Sequence, residues 1–384
     1  MIQSPGVLLT VLAFVLVIGP LVFIHEMGHY LAGRMFGIKA DAFAIGFGRE
    51  VAGWTDRRGT RWKIGWLPLG GYVKFAGDMN AVSQPSAEWL ALPAEERNAT
   101  FQAKPVWQRA IVVAAGPFVN FVAAILILAG FALAYGDART PATVGKALPG
   151  TIAAKVGLQP GDRIVALGGR QVATFDDMVR YMKIRAGETV RIDLRRGSAP
   201  LSVAATIGTL EQRDRFGNVY RVGLLGIAPP DPVIVPVSPL EAPVIAVRRT
   251  GEIVTMMVET IGQVITGRRS MKELGGPLQI AKVSGEQITL GAPAFVFLIA
   301  LVSINLGFIN LLPVPMLDGG HLMFYAAEAI RRKPVPAEAQ EWAYRGGFAA
   351  IVALMLVVTF NDLGNFGLWS GLGRGIAGLI GAAG

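Results

Sequence analysis

Long apolar runs constrain this chain before anything else does, because a helix needs about 20 predominantly apolar residues to cross a bilayer. Candidate runs extend from Gly6 to about Ala32, from Ala110 to Tyr135, from Phe295 to about Asn310 and from Gly347 to Phe360. The last two are short and lean on neutral flanks. Composition agrees: 52% of the 384 residues are hydrophobic and 16% charged, against roughly a quarter charged in an average soluble protein. The expected fold class is a polytopic α-helical membrane protein with about four transmembrane helices. The first run carries no charged side chain through Ile24 and leads straight into a polar cluster. It is therefore expected to stay as a span rather than be removed as a signal peptide.

That polar cluster lies in "LVFIHEMGHYLAG", residues 21–33, where His25, Glu26 and His29 interrupt the apolar run. Ionisable groups inside a membrane helix are costly unless something uses them. The spacing is H-E-x-x-H, and four residues advance a helix by about 400°, so both imidazoles share one face. Two nitrogens pointing the same way can hold Zn²⁺, and the adjacent glutamate can take a proton from a water at the metal. The alternative is a pair of hydrogen-bonded helix histidines with no metal. There are no cysteines, so neither a disulfide framework nor a thiolate metal site is available.

The net charge of +9 sits largely in loops beside the spans, between Arg34 and Arg109 and at Arg331, Arg332 and Lys333. Both loops are expected on the cytoplasmic side, with the N-terminus, the central region and the C-terminus outside. That placement accounts for the charge, so the lipid bilayer is the expected partner and no nucleic-acid partner is required. The chain divides into an N-terminal membrane half (1–139), a soluble α+β domain (140–228), a Pro-rich linker with an amphipathic helix (229–292) and a C-terminal membrane half (293–384). Within the soluble domain, "GLQPGDRIVALGGRQV" reads as strand, turn and strand, "TFDDMVRYMKI" as a capped helix, and "TVRIDLRR" as a further strand. These residues resemble a PDZ domain of the kind attached to bacterial proteases, which binds extended peptides by strand addition; a rigid spacer or size filter is the other reading. "PPDPVIVPVSPLEAP" holds six prolines in fifteen residues and should be stiff and extended. Residues 244–266 should form an amphipathic helix at the membrane surface.

The chain has three histidines. The third, His321, lies in "NLLPVPMLDGGH", where Pro313, Pro315, Gly319 and Gly320 break regular helix. Irregular backbone at membrane depth survives where protein or trapped water satisfies it, so this segment looks built around a polar cavity. A catalytic zinc usually takes three protein ligands, and Asp318 and His321 both qualify on chemistry alone.

"HEMGH" in the first span, "AAGPFVNF" in the second, the PDZ-like insert, "LGGPLQIA", "NLGFINLLPVPMLDGGH" and "FNDLGNF" together resemble the site-2 protease family of intramembrane zinc metalloproteases, in the order found in its bacterial, sigma-E-regulating members. The resemblance implies that His25, His29 and Asp318 bind zinc, that Glu26 activates the attacking water, and that Asn310 and Asn305 hold the substrate backbone. His321 is then a supporting neighbour. "FAIGFGREV", "RWKIGW" and "GGYVKFAGD" alternate as strands between glycines, and the resemblance places them in a membrane-associated β-loop. An edge there, around Gly70, Gly71, Tyr72 and Val73, would present an unwound substrate to the zinc. The implied partners are single-span membrane proteins of the anti-sigma factor type and remnant signal peptides, at the inner membrane of a bacterium with the PDZ-like domain in the periplasm. A non-catalytic PDZ adaptor with a structural metal, and a metal transporter, are the competing classes.

Overall fold

The computed structural model describes residues 5–77, 93–213, 219–268 and 275–365. Asp78, Leu274 and Phe366, at the ends of three of the motifs quoted above, lie outside the described residues. In chain order the elements are α1 (Val7–Met35), β1 (Ala40–Thr55), β2 (Arg61–Phe75), α2 (Ala94–Asn98), α3 (Val106–Tyr135), β3 (Asp137–Arg139), β4 (Lys146–Ala147), α4 (Ile152–Lys155), β5 (Arg163–Leu167), β6 (Arg170–Gln171), α5 (Phe175–Lys183), β7 (Thr189–Arg196), β8 (Ala199–Thr206), β9 (Gly208–Arg213), β10 (Val219–Leu224), β11 (Ile227–Ala228), β12 (Val233–Val235), α6 (Glu241–Ile265), α7 (Pro277–Thr289), α8 (Ala292–Asn310), α9 (Asp318–Arg331) and α10 (Ala337–Asn365). The chain forms two compact units: Met1–Leu128 with Ala246–Val258 and Met271–Gly384 make the first, and Ala129–Ile245 with Glu259–Ser270 the second.

The first unit is built on apolar helices. Among the described residues, four helices are long and apolar enough to cross a membrane: Val7–Met35, Val106–Tyr135, Ala292–Asn310 and Ala337–Gly364. The helix holding the expected fourth span starts ten residues before Gly347, because polar turns at its N-terminus continue the same helix. Pro20 lies inside α1 and Pro117 inside α3; each removes one backbone donor, a loss that membrane helices tolerate where neighbours satisfy the freed carbonyl. The motif before the third span and the one at the end of the fourth meet through a single carboxylate. Asp362, buried in α10, accepts hydrogen bonds from the backbone N–H groups of Gly276 and Gln279, both at 3.1 Å. It thereby caps α7 from far along the chain, satisfying donors that a helix N-terminus otherwise leaves open.

Strands β1 and β2 each bend back on the other. Ala42 to Ile45 pair on one edge with Arg61 to Ile64 and on the other with Gly71 to Lys74, while Arg61 to Gly65 also pair with Glu50 to Thr55. Two chain segments thus make a sheet four segments wide, and among the described residues the 71–75 segment has no strand on its outer side. One face packs into a core of Tyr30, Ile38, Phe43, Phe75, Phe101, Val112 and Tyr325. Tyr30 and Trp62 meet Phe43 at ring separations of 5.9 and 4.5 Å, and Phe75 stacks on Phe101 at 5.6 Å.

The second unit holds a four-stranded antiparallel sheet in the order β6-β5-β7-β8. Helix α5 is fixed by a reciprocal cap in which Thr174 Oγ1 accepts from the Asp177 N–H and Asp177 accepts from the Thr174 N–H. Its apolar side, Phe175, Met178 and Met182, joins Ile164, Leu167, Val190, Ile192 and Leu194 in one core. Part of the proline-rich stretch finds a strand partner: Val233–Val235 pairs antiparallel with Asp137–Arg139. Helix α6 runs Glu241–Ile265, starting three residues before the expected position because Ser238 and Glu241 form a local cap.

Within this unit Asp162 is 1% exposed. It accepts two 2.8 Å hydrogen bonds from Arg196 and one from the Gln159 N–H. The Arg196 hydrogen bonds, aided by Gln159 and opposed by burial, hold its carboxyl below the usual range. A carboxyl depressed on folding contributes stability that is present above its unfolded pKa, about 3.9, and is lost as pH falls through the lower folded value. Asp162→Asn should therefore cost about 1–3 kcal/mol at neutral pH and flatten the acid limb of local unfolding. Hydrogen exchange of residues 140–228 in the full chain, as a function of pH, checks both expectations.

Candidate metal centre

The first ligand pair comes from helix periodicity. His25 and His29 stand one turn apart on α1, and their Nε2 atoms are 3.2 Å from each other. The third group comes from the other half of the chain. Asp318 opens α9, and its Oδ2 lies 3.2 Å from His25 Nε2 and 3.5 Å from His29 Nε2. The turn before it is tight: Met316 has φ of +88°, uncommon for a residue with a side chain. A Cβ on Gly320 would meet the backbone of Val314 and Pro315. That close approach is what sends Asp318 back toward α1.

Three ligand atoms at mutual separations of 3.2–3.5 Å fit one small cation. Tetrahedral zinc with bonds of about 2.0–2.2 Å sets its ligand atoms roughly 3.3–3.6 Å apart. Two further observations support the fit. Asp318 Oδ2 is buried without a hydrogen-bond partner, which a native interior seldom tolerates unless an ion takes that role. His29 Nδ1 donates to the carbonyl of Val112 at 2.9 Å, and because a carbonyl can only accept, the neutral ring carries its lone pair on Nε2. That lone pair faces the other two ligand atoms. No other group of three or more potential metal ligands occurs among the described residues.

His321 does not join this triangle. Its Nδ1 is 2.8 Å from the hydroxyl of Tyr344 on α10, so the choice left open by residue chemistry falls geometrically on Asp318. Glu26 is 8% exposed, and its carboxylate lies beside the backbone N–H of Val73. A cavity of about 330 Å³ is lined by His25, Glu26, His29, Asp318, His321 and Asn310, with Gly71, Tyr72 and Val73 from the strand and Phe75, Phe101, Val112, Val113, Met316 and Tyr325 completing the wall. Asn310 donates its amide to Leu306 O at 3.0 Å. Asn305 and Gly70 are not in the lining. Five residues advance a helix by about 500°, which turns Asn305 away from the side that Asn310 occupies. Gly70, with φ of +82°, makes the bend before the strand segment.

The residues of "AAGPFVNF" have no role assigned from sequence, yet α3 proves to be the wall on which the histidines rest. Gly116 faces His29: a Cβ there would collide with the imidazole at Nε2. Asn120 is 0% exposed and its Nδ2 stands 3.2 Å from His25 Nδ1. The signal was available, since Asn120 is the one amide in an otherwise apolar run from Ala110 to Leu133, and a polar group in such a run is a functional candidate.

The sequence model of peptidase family M50 matches residues 13–354. A protein of Agrobacterium fabrum whose name assigns it to the zinc metalloproteases is 44% identical over 358 residues, covering 92% of this chain and 95% of the relative. Metalloprotease MmpA of Caulobacter vibrioides is 34% identical over 392 residues, covering 96% and 98%. Among solved structures, the PDZ domain of the SdrC-like protein from Listeria monocytogenes is 21% identical and covers 23% of this chain and 87% of that one, with a TM-score of 0.19. The chain belongs to peptidase family M50, the site-2 protease family, and is a zinc metalloprotease.

Gly116→Ala should weaken zinc binding by roughly tenfold or more, since overpacking a tight contact costs about 1–3 kcal/mol. Gly130→Ala, on the same helix with nothing within 4 Å of an added Cβ, should leave it unchanged. Metal content of the two purified variants after dialysis against a graded chelator is the measurement.

Proposed function

We propose that this metalloprotease hydrolyses peptide bonds inside membrane-embedded segments of its substrates, with zinc held by His25, His29 and Asp318 and with Glu26 as the catalytic base. The observation that carries the reading is the convergence of two imidazoles and a carboxylate on α1 and α9 within a helix whose hydropathy suits a bilayer span. His25 stands 18 residues after the first residue of α1, roughly 27 Å along the helix. That puts the site near the end of the span adjoining the basic residues 34–109, the cytoplasmic end by the positive-inside tendency.

A zinc ion in this position supplies a Lewis acid that polarises the scissile carbonyl and acidifies water. The chain does the rest. Glu26 takes the proton of the attacking water as the C–O bond forms, then delivers it to the leaving nitrogen as the C–N bond breaks. The Val73 N–H, beside the carboxylate, favours its charged form between these transfers. A substrate helix hides its peptide bonds in its own hydrogen bonds and must be unwound. Backbone groups of alternate strand residues share one edge, so Gly71 faces the same way as Val73, toward the cavity they both line. An extended substrate segment added to that edge would exchange its lost helical bonds for strand bonds, with Tyr72 beside it and Asn310 offering its amide oxygen across the cavity.

The substrates we propose are single-span membrane proteins of the anti-sigma factor type and remnant signal peptides, at a bacterial inner membrane with residues 140–228 in the periplasm. Support for that placement is the distribution of Lys and Arg around the spans and the bacterial origin of the relatives.

Glu26→Gln should keep its zinc, because Glu26 is not one of the three ligands, while cleavage of a single-span reporter in proteoliposomes falls by about 10²–10⁴-fold. Undiminished cleavage would refute the role of Glu26. A reporter whose span carries a Gly pair beside the scissile bond should be cut several-fold faster than its Leu counterpart, since each Gly weakens the helix by about 1 kcal/mol. Equal rates would show that unwinding does not limit the reaction.

A further inference from the structure

We propose that Asn120 is a positioning residue for the metal centre, accepting a hydrogen bond through Oδ1 from the Nδ1–H of His25 and so holding the His25 lone pair on Nε2. The inference rests on the metal site argued above and extends it to a residue with no assigned role.

A neutral imidazole carries one N–H, and the nitrogen that faces a cation must be the bare one. For His29 the backbone decides the matter, because Nδ1 gives its proton to the Val112 carbonyl at 2.9 Å. His25 presents Nε2 to the same point, 3.2 Å from both His29 Nε2 and Asp318 Oδ2. Its proton must then sit on Nδ1, and the atom 3.2 Å from that nitrogen belongs to the amide of Asn120. As placed, the amide turns its Nδ2 donor to Nδ1 and leaves Oδ1 buried without a partner. Oxygen and nitrogen of an amide are interchangeable by a 180° flip whose sense is assigned from the hydrogen-bond network. Flipping this amide converts a donor facing a donor into N–H···O and gives Oδ1 its hydrogen bond, at the cost of moving Nδ2 to the position where Oδ1 had no partner.

The residue is also held where this job requires it. Asn120 is 0% exposed, and its backbone carbonyl accepts the Ser303 hydroxyl of α8 at 2.8 Å. One helix, α3, therefore supplies the outer partner of both imidazoles, a main-chain carbonyl for one and a side-chain amide for the other. Partners of this kind fix ring orientation and raise ligand basicity, and losing one typically weakens metal binding by about 10–100-fold.

The test is zinc affinity of the full chain in detergent, by chelator competition, for wild type, Asn120→Ala and Asn120→Asp, with thermal unfolding of the zinc-free proteins alongside. Asparagine and aspartate are nearly isosteric, but the carboxylate can only accept. The expected result is a loss of about 10–100-fold for Asn120→Ala and near wild-type affinity for Asn120→Asp, with similar unfolding of all three zinc-free proteins. Wild-type affinity in Asn120→Ala overturns the proposal. So does a loss in Asn120→Asp, which would mean that the amide donates to His25; this arm decides the question alone if the alanine variant does not fold. Wild type that binds no zinc stoichiometrically would instead remove the metal site itself, an outcome distinct from either.

Discussion

Two nitrogen lone pairs and a carboxylate oxygen confront one another across 3.2–3.5 Å, in surroundings with little water to screen them. Without a cation between them such a triangle is repulsive, and burying its members carries a desolvation cost besides. The arrangement makes physical sense as one ligand set, and other features of the first unit follow from the need to assemble it. Two ligands are local, one helical turn apart. The third lies in the far half of the sequence, so the chain has to bring α9 against α1 and keep it there.

Helix α3 meets much of that need. It offers His29 a carbonyl at Val112, a space at Gly116 and, nearby, a polar side chain at Asn120, three features on one side of one helix. Through Ser303 it also grips α8, whose C-terminal end leads directly into the turn that carries Asp318. The Arg109 ion pair with Glu328 at 2.8 Å ties the start of α3 to α9 as well. Helix α3 thus touches both halves of the ligand set without donating a ligand. Substitutions along it would act on the metal centre through position, not through chemistry.

Much of this was legible in the amino-acid sequence, and what was not has a physical explanation. Apolar runs and the H-E-x-x-H spacing are local, periodic signals, so α1 and its two imidazoles could be read directly. Helix ends read from hydropathy fall short wherever polar turns continue an apolar helix, by ten residues at the start of α10, since hydropathy marks the apolar length and not the hydrogen-bonded one. The choice between Asp318 and His321 was beyond residue chemistry, because both lie within one turn; it depends on Tyr344, 23 residues away, engaging the imidazole. Asn305 and Asn310 look equivalent in sequence and differ by their side of the helix. The back-to-back pairing of β1 and β2 was hidden too, because alternation identifies strands but carries no information on which edges meet.

The strand beside the metal has a consequence for selectivity. Backbone hydrogen bonds do not distinguish one side chain from another, so an edge formed by Gly71 and Val73 would accept many sequences equally well. In a bilayer, however, each substrate peptide group released from its helix costs several kcal/mol until it finds a new partner. Discrimination would then fall on how readily a given span gives up its helix, a property of a stretch of residues and not of one side chain at the scissile bond. If the protein acts as proposed, such a site would serve substrates unrelated in sequence while sparing the stable helices that surround it, including its own. On the proposed reading, the apolar helices of the protease would be protected by their own hydrogen bonding, and where Pro117 interrupts α3 it is buried, so packing within the protein supports the backbone there.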